Sequence, residues 1–295
     1  MPLSEDTLSS WSAAPSQGER DRCDNAEAAV RKAIAANAKL TAMKVSVFAQ
    51  GSHRARTNVR QGSDVDICVR YDDVFFTDYP PGITNATFGF VTSTFTYAEF
   101  KNLVGAALVA YFGENGVHRG NKAFDVHANT YRIDADVVPA LEHRKYGSDG
   151  THIKGIEFNP DAGGRVINWP DQNYANGVAR NTEAQRMFKR TIRILKRMRN
   201  HMEEENVAGA KGIPSFLIEC LVWNVPVASI LKETYTAAVR QVMIDVYSAT
   251  ATDEQCAHWH EVNLVKPLFK NTQPWNRTQV RTFISAAWQY AGFQQ

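Results

Sequence analysis

The stretch from Gly51 to Ile67, GSHRARTNVRQGSDVDI, decides how the rest of the chain is read. Ahead of it the run Lys44-Val45-Ser46-Val47-Phe48-Ala49 is β-branched and apolar, and reads as a strand leading into Gly51-Ser52. A polar, arginine-rich loop follows, and then Ser63-Asp64-Val65-Asp66-Ile67-Cys68-Val69 alternates like a second strand. Side chains at i and i+2 of a strand share a face, so Asp64 and Asp66 point one way while Val65 and Ile67 point into a core. Adjacent carboxylates repel each other, and an oxygen-ligated divalent cation is the usual reason for a chain to keep them together. Gly51 allows backbone to come close to a ligand, and the Ser52 hydroxyl and loop N–H groups can donate to phosphate oxygens. Carboxylates for a metal beside donors for phosphate point to a nucleoside triphosphate carried with Mg²⁺. Asp-x-Asp alone is commonly a solvated strand end; the weight lies in its order after strand, Gly-Ser and Thr57.

Gly51-Ser52, Thr57 and Ser63-Asp64-Val65-Asp66-Ile67 resemble the signature of the polymerase-β-like nucleotidyltransferase superfamily. More narrowly they resemble its template-independent branch: oligoadenylate synthases, cyclic GMP-AMP synthase and the bacterial cyclic-oligonucleotide synthases of anti-phage defence, the cGAS/DncV-like nucleotidyltransferases or CD-NTases. The resemblance implies an α+β, bilobal fold with a mixed β-sheet core lobe and a helical C-terminal lobe. On this chain the expected division is a catalytic core at 19–145, a crossover at 146–180 and the helical lobe at 181–295. The branch also places a third carboxylate on a later strand.

That carboxylate is sought in Tyr131-Arg132-Ile133-Asp134-Ala135-Asp136-Val137-Val138-Pro139-Ala140. The segment reads as the second of two strands, the first being Ala123 to Ala128, with a turn at Asn129 and with Pro139 ending the ladder. Asp134 and Asp136 share one face of it. Asp136, followed by two apolar residues, Pro and Ala, resembles the family's third-carboxylate motif, so Asp136 is expected to be the third metal ligand and Asp134 its neighbour.

The second half is helical in pattern. From Thr182 to Arg199, Met187, Phe188, Thr191, Ile192, Leu195 and Met198 form an apolar stripe opposite seven Arg and Lys side chains. Such a basic face is usually solvated, and it also suits nucleic acid. The resemblance narrows this: the family has a lysine on the corresponding helix that reaches the triphosphate, and Ile194-Leu195-Lys196 matches its position. Further on, Gly212-Ile213-Pro214-Ser215-Phe216 opens another helix, whose N-terminus suits phosphate. By resemblance Ser215 turns toward phosphate and the ring of Phe216 stacks on the donor base, although the family's usual aromatic there is Tyr. Tyr97 to Phe112, Ser229 to Tyr247 and Arg277 to Tyr290 read as further amphipathic helices, and residues 1 to 18 as a loosely packed arm.

Composition bounds these readings. With 295 residues the chain can bury a sizeable core. Lys and Arg number 33 against 31 Asp and Glu, too balanced for a general nucleic-acid coat. No apolar run approaches the ~18 residues of a membrane span, and the polar start lacks a signal peptide's pattern. Cys23, Cys68, Cys220 and Cys256 are widely spaced and read as free thiols in a reducing cytoplasm. Cys256, His258 and His260 fit no structural zinc spacing.

By resemblance, then, Asp64, Asp66 and Asp136 hold two Mg²⁺ ions, with Mn²⁺ as a substitute, while Gly51, Ser52, Lys196, Ser215 and Phe216 bind the nucleotide. Nucleoside triphosphates serve as both donor and acceptor, and the product is a cyclic di- or trinucleotide second messenger. Neither membrane nor nucleic-acid template is required, and an activating partner protein of the defence system is compatible with this reading. Two other classes compete. An RNA-tailing or linear oligoadenylate-like transferase shares the carboxylates but usually needs a basic surface or further domain. A non-catalytic nucleotide-binding or antitoxin-like module needs no intact carboxylate set.

Overall fold

The computed structural model describes residues 2–59, 64–270 and 273–293; Ser63, which opens the Ser-Asp-x-Asp motif, lies outside them. In chain order the helices are α1 (Glu5–Ser12), α2 (Gln17–Ala35), α3 (Ala38–Thr41), α4 (Gly51–Ala55), α5 (Tyr97–Phe112) and α6 (Pro170–Glu183). They continue as α7 (Met187–Glu204), α8 (Ser215–Asn224), α9 (Val227–Ile230), α10 (Tyr235–Ala249) and α11 (Arg277–Tyr290). The strands are β1 (Val45–Ala49), β2 (Val65–Asp78), β3 (Val117–Arg119), β4 (Phe124–Val126), β5 (Ala135–Tyr146), β6 (His152–Phe158) and β7 (Val166–Asn168). The chain divides into two compact units, one made of Ser16–Arg54 and Gln61–Pro170, the other of Met1–Pro15, Ala55–Arg60 and Asp171–Gln295. Among the described residues no helix is long and apolar enough to cross a membrane.

The first unit is built on a mixed sheet in the order β1-β2-β5-β4-β3, with β6 pairing β5 and β7 pairing β6. The alternation read from the sequence is present: Val65 and Ile67 are buried, whereas Asp64 is exposed and Asp66 partly so. β2 runs parallel to β5, with Val65 opposite Ala135 and Asp66 opposite Asp136. Parallel neighbours need a crossover, and the long connection between them carries α5. That helix begins at a Thr96–Glu99 capping box and buries Phe100, Val104, Ala107 and Leu108 against the sheet's core, together with Val30 and Ala33 of α2.

Pro139 does not end the ladder. β5 continues through it to Tyr146. Its pairing with β4 stops at Val137 and its pairing with β6 starts at Leu141, so at Pro139 only the β2 side is paired, which is where a missing N–H is tolerated. The segment 129–134 is likewise not strand; β5 starts at Ala135, and Asp134 precedes it.

The second unit is helical around one apolar cluster that takes in Ile192, Leu195 and Met198 of α7, Leu217, Ile218 and Leu221 of α8, Val239, Val242 and Val246 of α10, and Phe283 and Ile284 of α11. Its N-terminal arm is not loose. Ser4 caps α1, Leu8 is fully buried in the cluster, and the Glu5 carboxylate accepts the backbone N–H groups of Tyr235 and Thr236 at 2.6 and 2.8 Å. A helix N-terminus leaves such donors unsatisfied, so an acidic residue about 230 positions away closes the start of α10.

Candidate active site

The sheet unit brings four carboxylates to one place. Asp66 and Asp136 are directly opposite on parallel β2 and β5, and Asp125 of β4 is opposite Asp136 from the other side. Asp64 sits at the mouth of β2, one alternation from Asp66. Burial and then the charge of Asp64 push Asp66 up to about 6. Burial and then the charges of Asp64, Asp66 and Asp125 push Asp136 to about 6 as well. Asp64 is raised by burial and by Asp134 and Asp125, while His53 opposes the rise. Each group is thus held in an environment that disfavours its own charge, the arrangement a divalent cation reverses. Among the described residues no three His, Cys, Asp or Glu side chains are drawn together tightly enough to enclose an ion. The fit therefore rests on the donor chemistry, hard oxygen ligands in mutual repulsion, which suits a hard divalent cation.

Asp125 was not singled out by the sequence. Its signal is the alternation Phe124-Asp125-Val126, in which the two apolar neighbours are buried. Asp134, by contrast, accepts the backbone N–H of Ala128 at 2.7 Å and so closes the turn before β5.

The Gly-Ser stretch is a short helix, α4, rather than a loop. Gly51 has φ of +65°, and a Cβ there would lie 2.1 Å from Asp66 Oδ2. What needs the bare Cα is therefore the Asp66 carboxylate itself, as well as the left-handed backbone. Gln50 N–H donates to Asp66 O at 2.8 Å, fixing the entry to α4 against β2, and Ser52 is the helix's second residue.

In the helical unit Lys196 is buried and held by Thr57 and Glu219. Its side chain is 1% exposed, and its ammonium donates to Thr57 O at 3.1 Å, Thr57 Oγ1 at 3.3 Å and Glu219 Oε1 at 2.5 Å. An ammonium has three hydrogens, so all are committed. By resemblance Lys196 is expected to reach phosphate; here its buried charge is matched by partners from the protein, Thr57 and Glu219. The basic face of α7 is also largely internal. Arg193 donates to Ser12 O and Arg56 O, Arg197 to Ser10 O, and Arg199 to Ile213 O and to Ser215 Oγ. A solvated nucleic-acid patch on this face is therefore ruled out for Arg193, Lys196 and Arg199, each at least nine-tenths buried.

Ser215 is the first residue of α8, and Pro214 before it supplies no side-chain cap to the first-turn N–H groups. Phe216 is half-buried and packs on the helical core. A separate cavity of about 750 Å³ in the sheet unit, lined by Phe75, Phe90, Lys101 and Arg119 among others, draws on the far part of β2 and includes none of the four carboxylates.

A mixed sheet that sets an Asp-x-Asp pair beside a third carboxylate on the parallel neighbour, with a Gly-Ser helix packed on it, defines a nucleotidyltransferase core. The chain belongs to the cGAS/DncV-like nucleotidyltransferases: residues 175–292 match that family's C-terminal helical domain. It is 43% identical to the cyclic dipyrimidine nucleotide synthase CdnE of Legionella pneumophila over 97% of each chain. It is 36% identical to the enzyme of the same name from Cecembia lonarensis over 98% of each. Among solved structures, the Rhodothermus marinus CdnE c-UMP-AMP synthase with Apcpp and Upnpp superposes with a TM-score of 0.87 at 29% identity, covering 100% of this chain and 98% of that one. The protein is accordingly an enzyme, a nucleotidyltransferase of the cyclic-oligonucleotide synthase class.

Proposed function

We propose that the protein joins two pyrimidine nucleoside triphosphates into a cyclic dinucleotide, without a template, as a cytoplasmic second messenger in anti-phage defence. The observation that carries the pyrimidine assignment is the full-length identity of 43% to a cyclic dipyrimidine nucleotide synthase. The chemistry is assigned to the carboxylates of the sheet unit. Asp64, Asp66 and Asp136 would hold two Mg²⁺ ions, which would supply charge neutralisation of the donor triphosphate and activation of the acceptor hydroxyl for displacement of pyrophosphate. Asp136 takes the hydroxyl proton, and Asp125 fixes its orientation. Ser52 and Ser215, with the first-turn N–H groups of α8, hold phosphate oxygens, and the exposed part of the Phe216 ring stacks on the donor base. Lys196 acts through Thr57, whose carbonyl and hydroxyl it anchors five residues after Ser52. No covalent intermediate with the protein is needed; two successive transfers close the ring.

The test is incubation of the purified protein with ATP, GTP, CTP and UTP, singly and in pairs, with Mg²⁺ or Mn²⁺ and no RNA. UTP, alone or with CTP, is expected to release pyrophosphate and give a phosphatase-resistant product with the mass of a cyclic dinucleotide. Phosphatase-sensitive ladders of growing length would replace this reading with a linear polymerase. Turnover only on added RNA would replace it with a tailing enzyme, and a purely purine product would overturn the pyrimidine assignment alone.

A further inference from the structure

Ser215 carries one hydroxyl, able to donate one hydrogen and to accept at two lone pairs. Arg199 Nη2 lies 2.8 Å from its Oγ, and a guanidinium only donates, so in this bond the serine is the acceptor. The arginine is 8% exposed and its other terminal nitrogen is bound to Ile213 O, two residues before Ser215. Two bonds from one planar group thus grip the segment Ile213–Ser215 at both ends. A serine in the first turn of a helix otherwise turns its hydrogen onto nearby backbone, as a cap or a turn. Here one lone pair is occupied by a fixed donor, and the hydroxyl hydrogen is left for an acceptor outside the helix, beside first-turn N–H groups that Pro214 does not cap.

We infer that Arg199 is a positioning residue for the donor triphosphate: by donating to Ser215 Oγ and to Ile213 O it orients the Ser215 hydroxyl as a donor to phosphate oxygen. This rests on Ser215 being a phosphate ligand, as assigned above. Arg199 lies one turn beyond Lys196 on α7, and the two cations reach one turn apart on α8, to Ser215 and Glu219. The face read as a basic surface is therefore the support of the nucleotide-binding helix.

The experiment measures binding of the nonhydrolysable analogue Upnpp with Mg²⁺, and of UMP, to the wild-type protein and to Arg199→Met, Arg199→Lys, Ser215→Ala and the Arg199→Met/Ser215→Ala double variant. Losing one charge-assisted hydrogen bond corresponds to roughly tenfold weaker binding. Arg199→Met and Ser215→Ala are each expected to weaken Upnpp about tenfold, with UMP unchanged, and the double variant to be no weaker than either single one. Arg199→Lys, which keeps a donor, should recover part of the loss, and it carries the comparison if Arg199→Met does not fold. Normal Upnpp binding by the Arg199 variants alongside weakened binding by Ser215→Ala overturns the inference and leaves the Ser215 assignment intact. Normal binding by Ser215→Ala overturns that assignment first. Additive losses, or equal losses for Upnpp and UMP, overturn the positioning role.

Discussion

Replacing Lys196 with Met separates a buried strut from a ligand. The Lys196 side chain is 1% exposed and that of Glu219 12%, so truncation leaves a nearly buried carboxylate and the Thr57 hydroxyl without their shared donor. Breaking one half of a buried ion pair costs about 3–5 kcal/mol, and the slight water access of Glu219 favours the lower end, about 3 kcal/mol. For a protein of this size each kcal/mol moves the melting temperature by about 2–4 °C, so a drop of roughly 6–12 °C is expected. Glu219→Gln should fall similarly, since it strands the ammonium. Lys196→Met combined with Glu219→Leu should recover most of the loss, because replacing both partners by apolar groups is often near neutral. Calorimetry without nucleotide reads all three variants, and Upnpp binding is measured alongside. If Lys196→Met melted within about 2 °C of wild type while losing affinity for the analogue, the ammonium would be a phosphate ligand and the Glu219 contact incidental.

Asp64→Asn with Asp66→Asn should abolish synthesis yet leave the metal-free protein melting no lower than wild type. Asp66 is raised from 3.8 to about 6, so its folded form binds protons more tightly than its unfolded form. Its contribution is most favourable below pH ~4 and is lost as pH rises to ~6; the full shift corresponds to about 3 kcal/mol, and solvent access reduces this to about 1 kcal/mol. Melting curves in EDTA from pH 4 to 7 should show wild type losing this increment and the double variant keeping it, with Mg²⁺ stabilising wild type alone. Asp136→Ala should lower the rate by orders of magnitude and Asp134→Ala much less, with Asp125→Asn between them at about 10–100-fold. Initial pyrophosphate release measures all three, and a larger loss from Asp134 than from Asp136 would reverse the assignment.

The parts of the site that were legible in the sequence are those set by short-range periodicity. Period-two alternation placed Asp64 and Asp66 on one face of β2, and a single strand sufficed for that. It left Asp134 and Asp136 together as candidates, and the choice of Asp136 came from the resemblance; the strand carrying it begins later and runs past Pro139. What could not be read were contacts whose partners are remote. Thr57 lies 139 positions from Lys196, Ser12 lies 181 from Arg193, and Glu5 lies 230 from Tyr235. Helical periodicity sorts Arg and Lys to the solvent face, because it scores the side chain and not the carbonyls that a distant segment brings to it. Gly51 shows the same limit at closer range: the sequence marks a place where backbone must approach something, and only the pairing of β1 with β2 identifies that something as Asp66.

The misread face of α7 bears directly on mechanism. Taken as solvated, its six Arg and Lys side chains would favour a polyanion and hence an RNA-directed enzyme. With Arg193 and Arg197 bound to carbonyls of α1, Lys196 to Thr57 and Glu219, and Arg199 to the start of α8, much of that charge is consumed inside the helical unit. A buried cation matched by a carbonyl or carboxylate neither attracts a distant phosphate backbone nor releases its counterions on binding. The same residues that weaken the case for a nucleic-acid template therefore build the frame around Thr57 and Ser215. Their cost in desolvation is offset by the matched acceptors that hold them, Ser12 O for Arg193, Glu219 and Thr57 O for Lys196, and Ile213 O for Arg199.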